Sequence, residues 1–195
     1  MEVQERSLIV IKPDGVVRSL IGEIIGRFEK AGLKLVASKM VLVTKEQASQ
    51  HYPHDREELW TGIGNKTLEN YKALELDAVK LLGTKDPKEI GDIVRVWLLD
   101  YIASGPVFAA VFEGPHAVEL IRKICGHTLP LLSQPGTIRG DYSFDSAYLA
   151  NKGQRAIKNL IHASGTLDEA KYEIPLWFKP EEIHSYRRTD EEIMK

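Results

Sequence analysis

The chain has a single cysteine, Cys125, among 195 residues. It therefore cannot form an intrachain disulfide, and a reducing compartment is its natural setting. It also has no surplus of either charge. Its 26 lysines and arginines face 28 aspartates and glutamates, for a formal net charge of -2, so the strong basic footprint of a nucleic-acid binder is missing. No apolar run approaches the ~20 residues of a membrane span. The opening MEVQERSLIVIKPDG is apolar for too few positions to act as the hydrophobic region of a signal peptide. These absences predict a cytoplasmic protein with no membrane segment. There is no internal repeat or low-complexity tract, and the 43% hydrophobic content is enough for one sizeable core. We expect one domain over residues 1–195.

What is present reads as alternating strands and helices. SLIVI (7–11) is a β-rich apolar run stopped by the turn signal Lys12-Pro13-Asp14-Gly15. IGEIIGRFEKAG places Ile21, Ile24, Ile25 and Phe28 on one helical face, with Gly32 past its end. LKLVASKMVLV is a second strand, and Thr44 followed by Gln47 opens a short helix. GPVFAAVFEG alternates too little for a half-buried strand and belongs at the sheet centre, while HAVELIRKIC is a helix closed by Gly126. KNLIHAS is a fourth, short strand, and Thr166 with Glu169 caps the helix after it. The order fits a ferredoxin-like βαββαβ α+β fold, an antiparallel sheet with helices on one face.

Two stretches stand outside that core. From Pro53 to Ile90, the segment TLENYKALELDAVKLLG repeats apolar residues Leu68, Tyr71, Leu74, Ala78, Leu81 and Leu82 at spacings near three and four. Asp86, Pro87 and Glu89 then form a fresh helix start. An ordered helical hairpin packed on its own subunit is expected. His127 to Asp141 is a long irregular segment, rich in proline and glycine. The tail KPEEIHSYRRTDEEIMK (179–195) is mostly charged and should lie on the surface or against a neighbouring subunit.

Neither common phosphate-loop motif is present. GIGNKT (62–67) has a lysine and a threonine without the glycine spacing that a P-loop needs, and no G-x-G-x-x-G sits at a strand-to-helix turn. His51 and His54 of HYPH lack the i, i+4 spacing of a helical zinc pair. The remaining polar residues are more coherent. Lys12 ends the first strand, Arg122 lies on an otherwise apolar helix, Thr128 and Arg139 flank the long loop, and His162 follows Asn159 by three positions. Two arginines, a lysine and a hydroxyl converging on a histidine would make a polyphosphate clamp around a nucleophile.

IKPDGVVR, SGPVFAAVFEG, PGTIRGD and NLIHAS followed by Glu173 together resemble nucleoside diphosphate kinases, over nearly the whole chain and in the same order. The resemblance implies ping-pong transfer of a γ-phosphate, from a nucleoside triphosphate to a nucleoside diphosphate, through a phosphohistidine. It implies that His162 is the nucleophile, that Glu173 orients its imidazole, and that Lys12 also takes a catalytic part. Lys12, Tyr52, Arg122, Thr128, Arg139 and Asn159 would contact the nucleotide. Of these, Lys12, Arg122, Thr128 and Arg139 would serve the phosphates, and Asn159 with Lys12 the sugar hydroxyl. It further implies Mg²⁺ held mainly by nucleotide phosphates, with no protein metal site. The expected assembly is a homo-hexamer, with a tetramer or dimer as alternatives.

The chain departs from the family pattern in three places. The nucleophile motif, usually His-Gly-Ser-Asp, is His162-Ala163-Ser164-Gly165 here. The base-stacking phenylalanine of the family has no clear counterpart, since the matching count lands on Val94 and Trp60 is only a candidate. Insertions are expected at about 53–90 and, before the nucleophile strand, at about 143–155. A non-catalytic nucleotide-binding homologue is the alternative function. Retention of Lys12, Arg122, Arg139, Asn159, His162 and Glu173 argues for activity.

Overall fold

A computed structural model describes residues 4–189 and 191. In chain order the strands are β1 (Gln4–Ile11), β2 (Lys34–Leu42), β3 (Pro106–Pro115) and β4 (Ile161–Ala163). They form one antiparallel sheet in the order β2-β3-β1-β4. The short helix α1 (Pro13–Val17) follows β1, and α2 (Ile21–Lys30) crosses to β2. Next come α3 (Lys45–His51), α4 (Glu57–Ala73), α5 (Ala78–Leu82) and α6 (Pro87–Ile102), all before β3. Between β3 and β4 lie α7 (Ala117–Cys125), α8 (Ile138–Tyr142) and α9 (Ala147–Lys152), and α10 (Leu167–Trp177) follows β4. With α2 and α7 as the two crossovers, this is the ferredoxin-like βαββαβ arrangement.

β1 shows why its apolar run does not alternate. Side chains along a strand point to opposite faces in turn, and here both faces are covered. Ile9 and Ile11 pack with Ile24, Phe28 and Ile121 under α2 and α7. Leu8 and Val10 pack with Ala48, Ile102 and Trp177 under α3, α6 and α10. The expectation of helices on one face therefore holds for the two crossover helices only. The second face is closed by the helical stretch before β3 and by the C-terminal helix.

The stretch from Pro53 to Ile90 is helical, with boundaries that differ from the sequence reading. The first helix starts at Glu57 rather than near Thr67, and it stops at Ala73 because Glu75 adopts a left-handed φ of 55°. Asp77 then caps the separate turn of α5, accepting from the N–H groups of Val79 and Lys80. Asp86 accepts from the Lys88 N–H and starts α6, as its sequence predicts. α4 and α6 pack so closely that only glycine fits at two positions. A Cβ on Gly64 would run into the Pro87 carbonyl, and one on Gly91 into the Trp60 carbonyl. The apolar stripe is buried most deeply at Tyr71, 1% exposed, whose hydroxyl donates to the Asn151 carbonyl at 3.0 Å. Gln154 donates to the Leu81 carbonyl at 3.1 Å. The hairpin thus rests on α9 and the turn after it.

Two further differences follow from local chemistry. The Lys12-Pro13-Asp14-Gly15 turn is the start of α1, with Pro13 at its first position, where its missing N–H costs nothing. The segment from His127 to Asp141 is not wholly irregular. Thr137 accepts from the Gly140 N–H and caps α8, which carries Arg139. The described part of the tail lies along this subunit's own β2: the His184 N–H donates to Val36, the Tyr186 hydroxyl to Leu35 and Arg188 to Leu33. Residue 190 and residues 192–195 lie outside the described residues.

Candidate active site

The cleft is built where β1 and β4 end side by side. The Lys12 N–H donates to the Leu160 carbonyl at 2.7 Å, and the Leu160 N–H donates to Asp14 Oδ2 at 3.2 Å. Leu160 is fully buried with φ 67°, a conformation that costs a non-glycine residue of order 1–3 kcal/mol. These cross-links hold it there and set Asn159 beside Lys12, whose Nζ donates to Asn159 Oδ1 at 2.7 Å. Leu160 also ends the regular pairing, so β4 runs only from 161 to 163 rather than across KNLIHAS.

Lys12 is 4% exposed. Burial, and next the charge of Arg139, lower its pKa to about 7, with Asp14 opposing them. Its ammonium also lies 5.0 Å from the centre of the Tyr101 ring, and the Tyr101 hydroxyl donates to Asp14 Oδ1 at 2.6 Å. Arg139 is fixed by three carbonyls: Asn159 from Nε at 3.2 Å, and Gly126 and Ile161 from the two terminal nitrogens at 2.8 and 2.6 Å. Asn159 completes the wall by donating to the Thr128 carbonyl at 3.0 Å. Arg122 and Thr128 are exposed at the cleft, and among the described residues no protein partner holds the Arg122 guanidinium.

His162 sits in β4 with its ring on the cleft side. Its Nε2 lies 2.9 Å from Glu173 Oε1, and Ser164 Oγ donates to Glu173 Oε2 at 2.6 Å. Burial opposes ionisation of Glu173, but the charge and hydrogen bond of His162, the charge of His51 and the bond from Ser164 hold its pKa at about 2. A carboxylate on Nε2 leaves Nδ1 as the free ring nitrogen, and among the described residues no hydrogen bond engages it. The cavity has a volume of about 250 Å³, lined by Lys12, Tyr52, Leu98, Arg122, Cys125, Gly126, Thr128, Arg139, Asn159, Ile161, His162, Ala163 and Glu169. A wider hollow of about 680 Å³ beside α3 is lined by residues such as Lys45, Pro53 and Tyr172, none of them buried.

Lys12, Tyr52, Arg122, Thr128, Arg139, Asn159 and His162 meet at this cleft, with Glu173 just behind His162. Tyr52 is part of it, and burial followed by the charge of Glu173 pushes its hydroxyl pKa up. Ala163 lies in β4 without a positive φ, so the side chain added after the nucleophile causes no strain there. The two histidines of HYPH point to different places. His54 is exposed and pairs with Asp92 at 3.0 Å, whereas the His51 ring is buried with its centre 4.3 Å from that of His162. His51 Nδ1 accepts from the Trp177 indole at 3.3 Å, while its buried Nε2 has no partner among the described residues. Sequence alone left His51, Asp14 and Tyr101 out of the site. Their only sequence signal is adjacency to Tyr52, Lys12 and the strand SGPVF. Trp60 is 3% exposed and donates to the Pro53 carbonyl, so it is no platform for a base. Leu98, one turn further along α6 than Val94, lines the cavity.

A half-buried, carboxylate-braced imidazole facing two arginines and a lysine defines an enzyme that handles phosphoryl groups through histidine. The comparisons agree. The sequence model of the family "Nucleoside diphosphate kinase" matches residues 5–62 and 96–183. The chain is 48% identical over 179 residues to a nucleoside diphosphate kinase of Pyrobaculum aerophilum, covering 92% of this chain and 97% of that protein. It is 39% identical over 194 residues to one of Borreliella burgdorferi, covering 96% and 95%. Among solved structures it is similar to the NDP kinase of Pyrobaculum aerophilum, with a TM-score of 0.91 and 46% identity over 93% of this chain and all of that one. A Borrelia burgdorferi nucleoside diphosphate kinase, solved as a transition-state mimic with vanadate and ADP, gives a TM-score of 0.79 and 38% identity over 98% and 96% of the two chains. The chain belongs to the nucleoside diphosphate kinase family.

Proposed function

We propose that Nδ1 of His162 takes the γ-phosphoryl group from a nucleoside triphosphate and passes it to a nucleoside diphosphate, both half-reactions using the one cleft. In the first, the bond from the γ-phosphorus to the bridging oxygen breaks as the nitrogen–phosphorus bond forms, and the diphosphate leaves. The second reverses this with a new diphosphate as acceptor. The engagement of His162 Nε2 by Glu173 at 2.9 Å carries this reading, because it fixes the tautomer and leaves the other nitrogen to attack. Ser164 holds the second oxygen of Glu173, so the carboxylate cannot turn away.

Lys12, Arg122, Thr128 and Arg139 serve the phosphates. Arg139 gives three N–H groups to carbonyls, which leaves two of its five donors for a ligand. Asn159, held by Lys12 and Thr128, serves the sugar hydroxyl with Lys12. Tyr52 forms the wall beside His162, with ring centres 6.4 Å apart. The carboxylates near the cleft suit a Mg²⁺ ion carried by the nucleotide rather than by protein. Asp14 is taken by Tyr101 and Leu160, Glu169 by Gly165 and Arg56, and Glu173 by His162 and Ser164. When bound, Mg²⁺ neutralises charge on the phosphate oxygens.

We infer insertions at about 53–90 and 143–155, and a C-terminal tail at about 179–195. The interruption of the family match between residues 62 and 96 supports the first. Exposed Met40 and Leu42 on edge strand β2, with Leu131, Leu132 and Phe144, support a homo-oligomer, a hexamer first and a tetramer or dimer next. Sedimentation equilibrium decides among them. The single, buried Cys125 supports a cytoplasmic setting. No helix among the described residues is long and apolar enough to cross a membrane. The function is tested with nucleoside triphosphate labelled at the γ-phosphorus. Acid-labile label on the wild-type protein, and none on His162→Ala, is the expected result; equal labelling of both rules out His162 as the carrier.

A further inference from the structure

The loop after the nucleophile carries Gly165 where the family motif has an acidic residue, yet the space beside it already holds a carboxylate. Glu169, one turn into α10, accepts the Gly165 N–H at 2.7 Å through Oε2. A Cβ at position 165 would stand 2.6 Å from that oxygen and 3.4 Å from an Arg122 terminal nitrogen. Glycine at 165 and glutamate at 169 therefore go together, and the Glu169 carboxylate lines the cleft with Lys12, Arg122, Arg139 and His162. A negative charge there opposes phosphate binding unless something offsets it. The offset is Arg56, at the start of α4, whose Nη1 lies 3.3 Å from Glu169 Oε1. Its guanidinium is also 5.8 Å from the centre of the Tyr172 ring, which is anchored by a hydroxyl bond to the Gln50 carbonyl at 2.9 Å.

We propose that Arg56 is a further phosphate-binding residue, and that Glu169 is its resting partner, standing in the free protein where a nucleotide phosphate oxygen stands in the complex. This rests on the nucleotide-kinase reading of the cleft. Both side chains are about one-third exposed, at 35% each, so the pair is weak enough to exchange. A guanidinium suits the exchange, because its planar fork matches carboxylate and phosphate alike. The change is one of side-chain partners and needs no backbone motion. It adds a cation from α4 to a clamp otherwise built from β1, α7 and α8.

The test is equilibrium binding of ADP, with adenosine as the phosphate-free probe, to the full-length protein. Arg56→Gln should weaken ADP about tenfold, the loss of one charge-assisted hydrogen bond, and Arg56→Lys should lose less. Glu169→Gln keeps an acceptor for the Gly165 N–H and removes the competing charge, so it should tighten ADP by about threefold. Adenosine affinity should stay unchanged in all three. Weaker ADP binding by Glu169→Gln, unchanged binding by Arg56→Gln, or parallel losses for ADP and adenosine would overturn the proposal and leave the kinase reading intact. Failure of the wild-type protein to bind ADP would instead remove both.

Discussion

At the scale of single residues, the cleft couples two unusual titrations to one reaction. Lys12 has a pKa near 7 in the free protein through burial and Arg139, whereas a bound phosphate would stabilise its charged form. Nucleotide affinity should therefore be highest below pH 7 and fall as pH rises above it, by up to about tenfold per unit. Calorimetry in buffers of different ionisation heat should detect proton uptake on ADP binding near pH 8, and Lys12→Met should abolish it. Glu173 has the opposite sign. Its folded pKa of about 2 is below the ordinary 4.5, so its stabilising contribution is complete above about 4.5 and is lost as pH falls toward 2. Urea unfolding of Glu173→Gln should show a flatter pH dependence in that window than wild type. His162→Ala should stop phosphoryl transfer while leaving nucleotide binding largely intact, since the proposed reading assigns most of the affinity to Lys12, Arg122 and Arg139; filter binding checks this. Lys12, Arg139 and His162 were legible in the sequence because each belongs to a motif. His51 was not, because a buried histidine beside Tyr52 has no pattern of its own, and only the folded chain sets its ring 4.3 Å from His162.

At the scale of elements, the hairpin of α4 and α6 depends on the absence of two side chains. Gly64→Ala and Gly91→Ala should each cost about 1–3 kcal/mol or more, as overpacking does, because the obstacle is the backbone of the facing helix. Gly62→Ala provides the contrast. It lies in α4, where among the described residues nothing beyond its own helix stands within 4 Å of a Cβ, so it should gain up to about 1 kcal/mol from helix propensity. Denaturant midpoints would show the opposite signs. The same pair explains part of what the sequence hid. The segment picked out by its apolar spacing begins at Thr67, after Gly62 and Gly64, whereas the close packing of Gly64 on Pro87 keeps the helix intact through that glycine despite its poor propensity. The capping residues Thr44, Asp86 and Thr166 were legible, since a side-chain cap is a local bond. The break at Glu75 was not, because the apolar spacing of Leu74, Ala78 and Leu82 continues across it.

At the scale of the whole molecule, the antiparallel sheet and its ferredoxin-like βαββαβ arrangement were readable from the sequence of elements. Coverage of the second sheet face by α3, α6 and α10 was not, since it depends on where the helices before β3 and after β4 return. In the proposed reading the cleft residues picked out by sequence serve the phosphates and the sugar, and Leu98 is one of several apolar side chains that line the cleft. Purine and pyrimidine diphosphates should therefore differ little in kcat/KM, and a preference of several orders of magnitude would make the residues around α4 and α6 a specificity element. The turn that carries Tyr52 is tied down on several sides. Arg95 donates to the Tyr52 carbonyl at 2.7 Å and to Ser49 at 2.8 Å, Tyr172 reaches Gln50, and the hairpin behind rests on α9 through Tyr71. Among the described residues these bonds brace the entrance to the cleft. An opening so braced should keep its shape as ligands pass, so raising solvent viscosity with sucrose should slow turnover smoothly, and relaxation dispersion should detect no millisecond exchange in that turn.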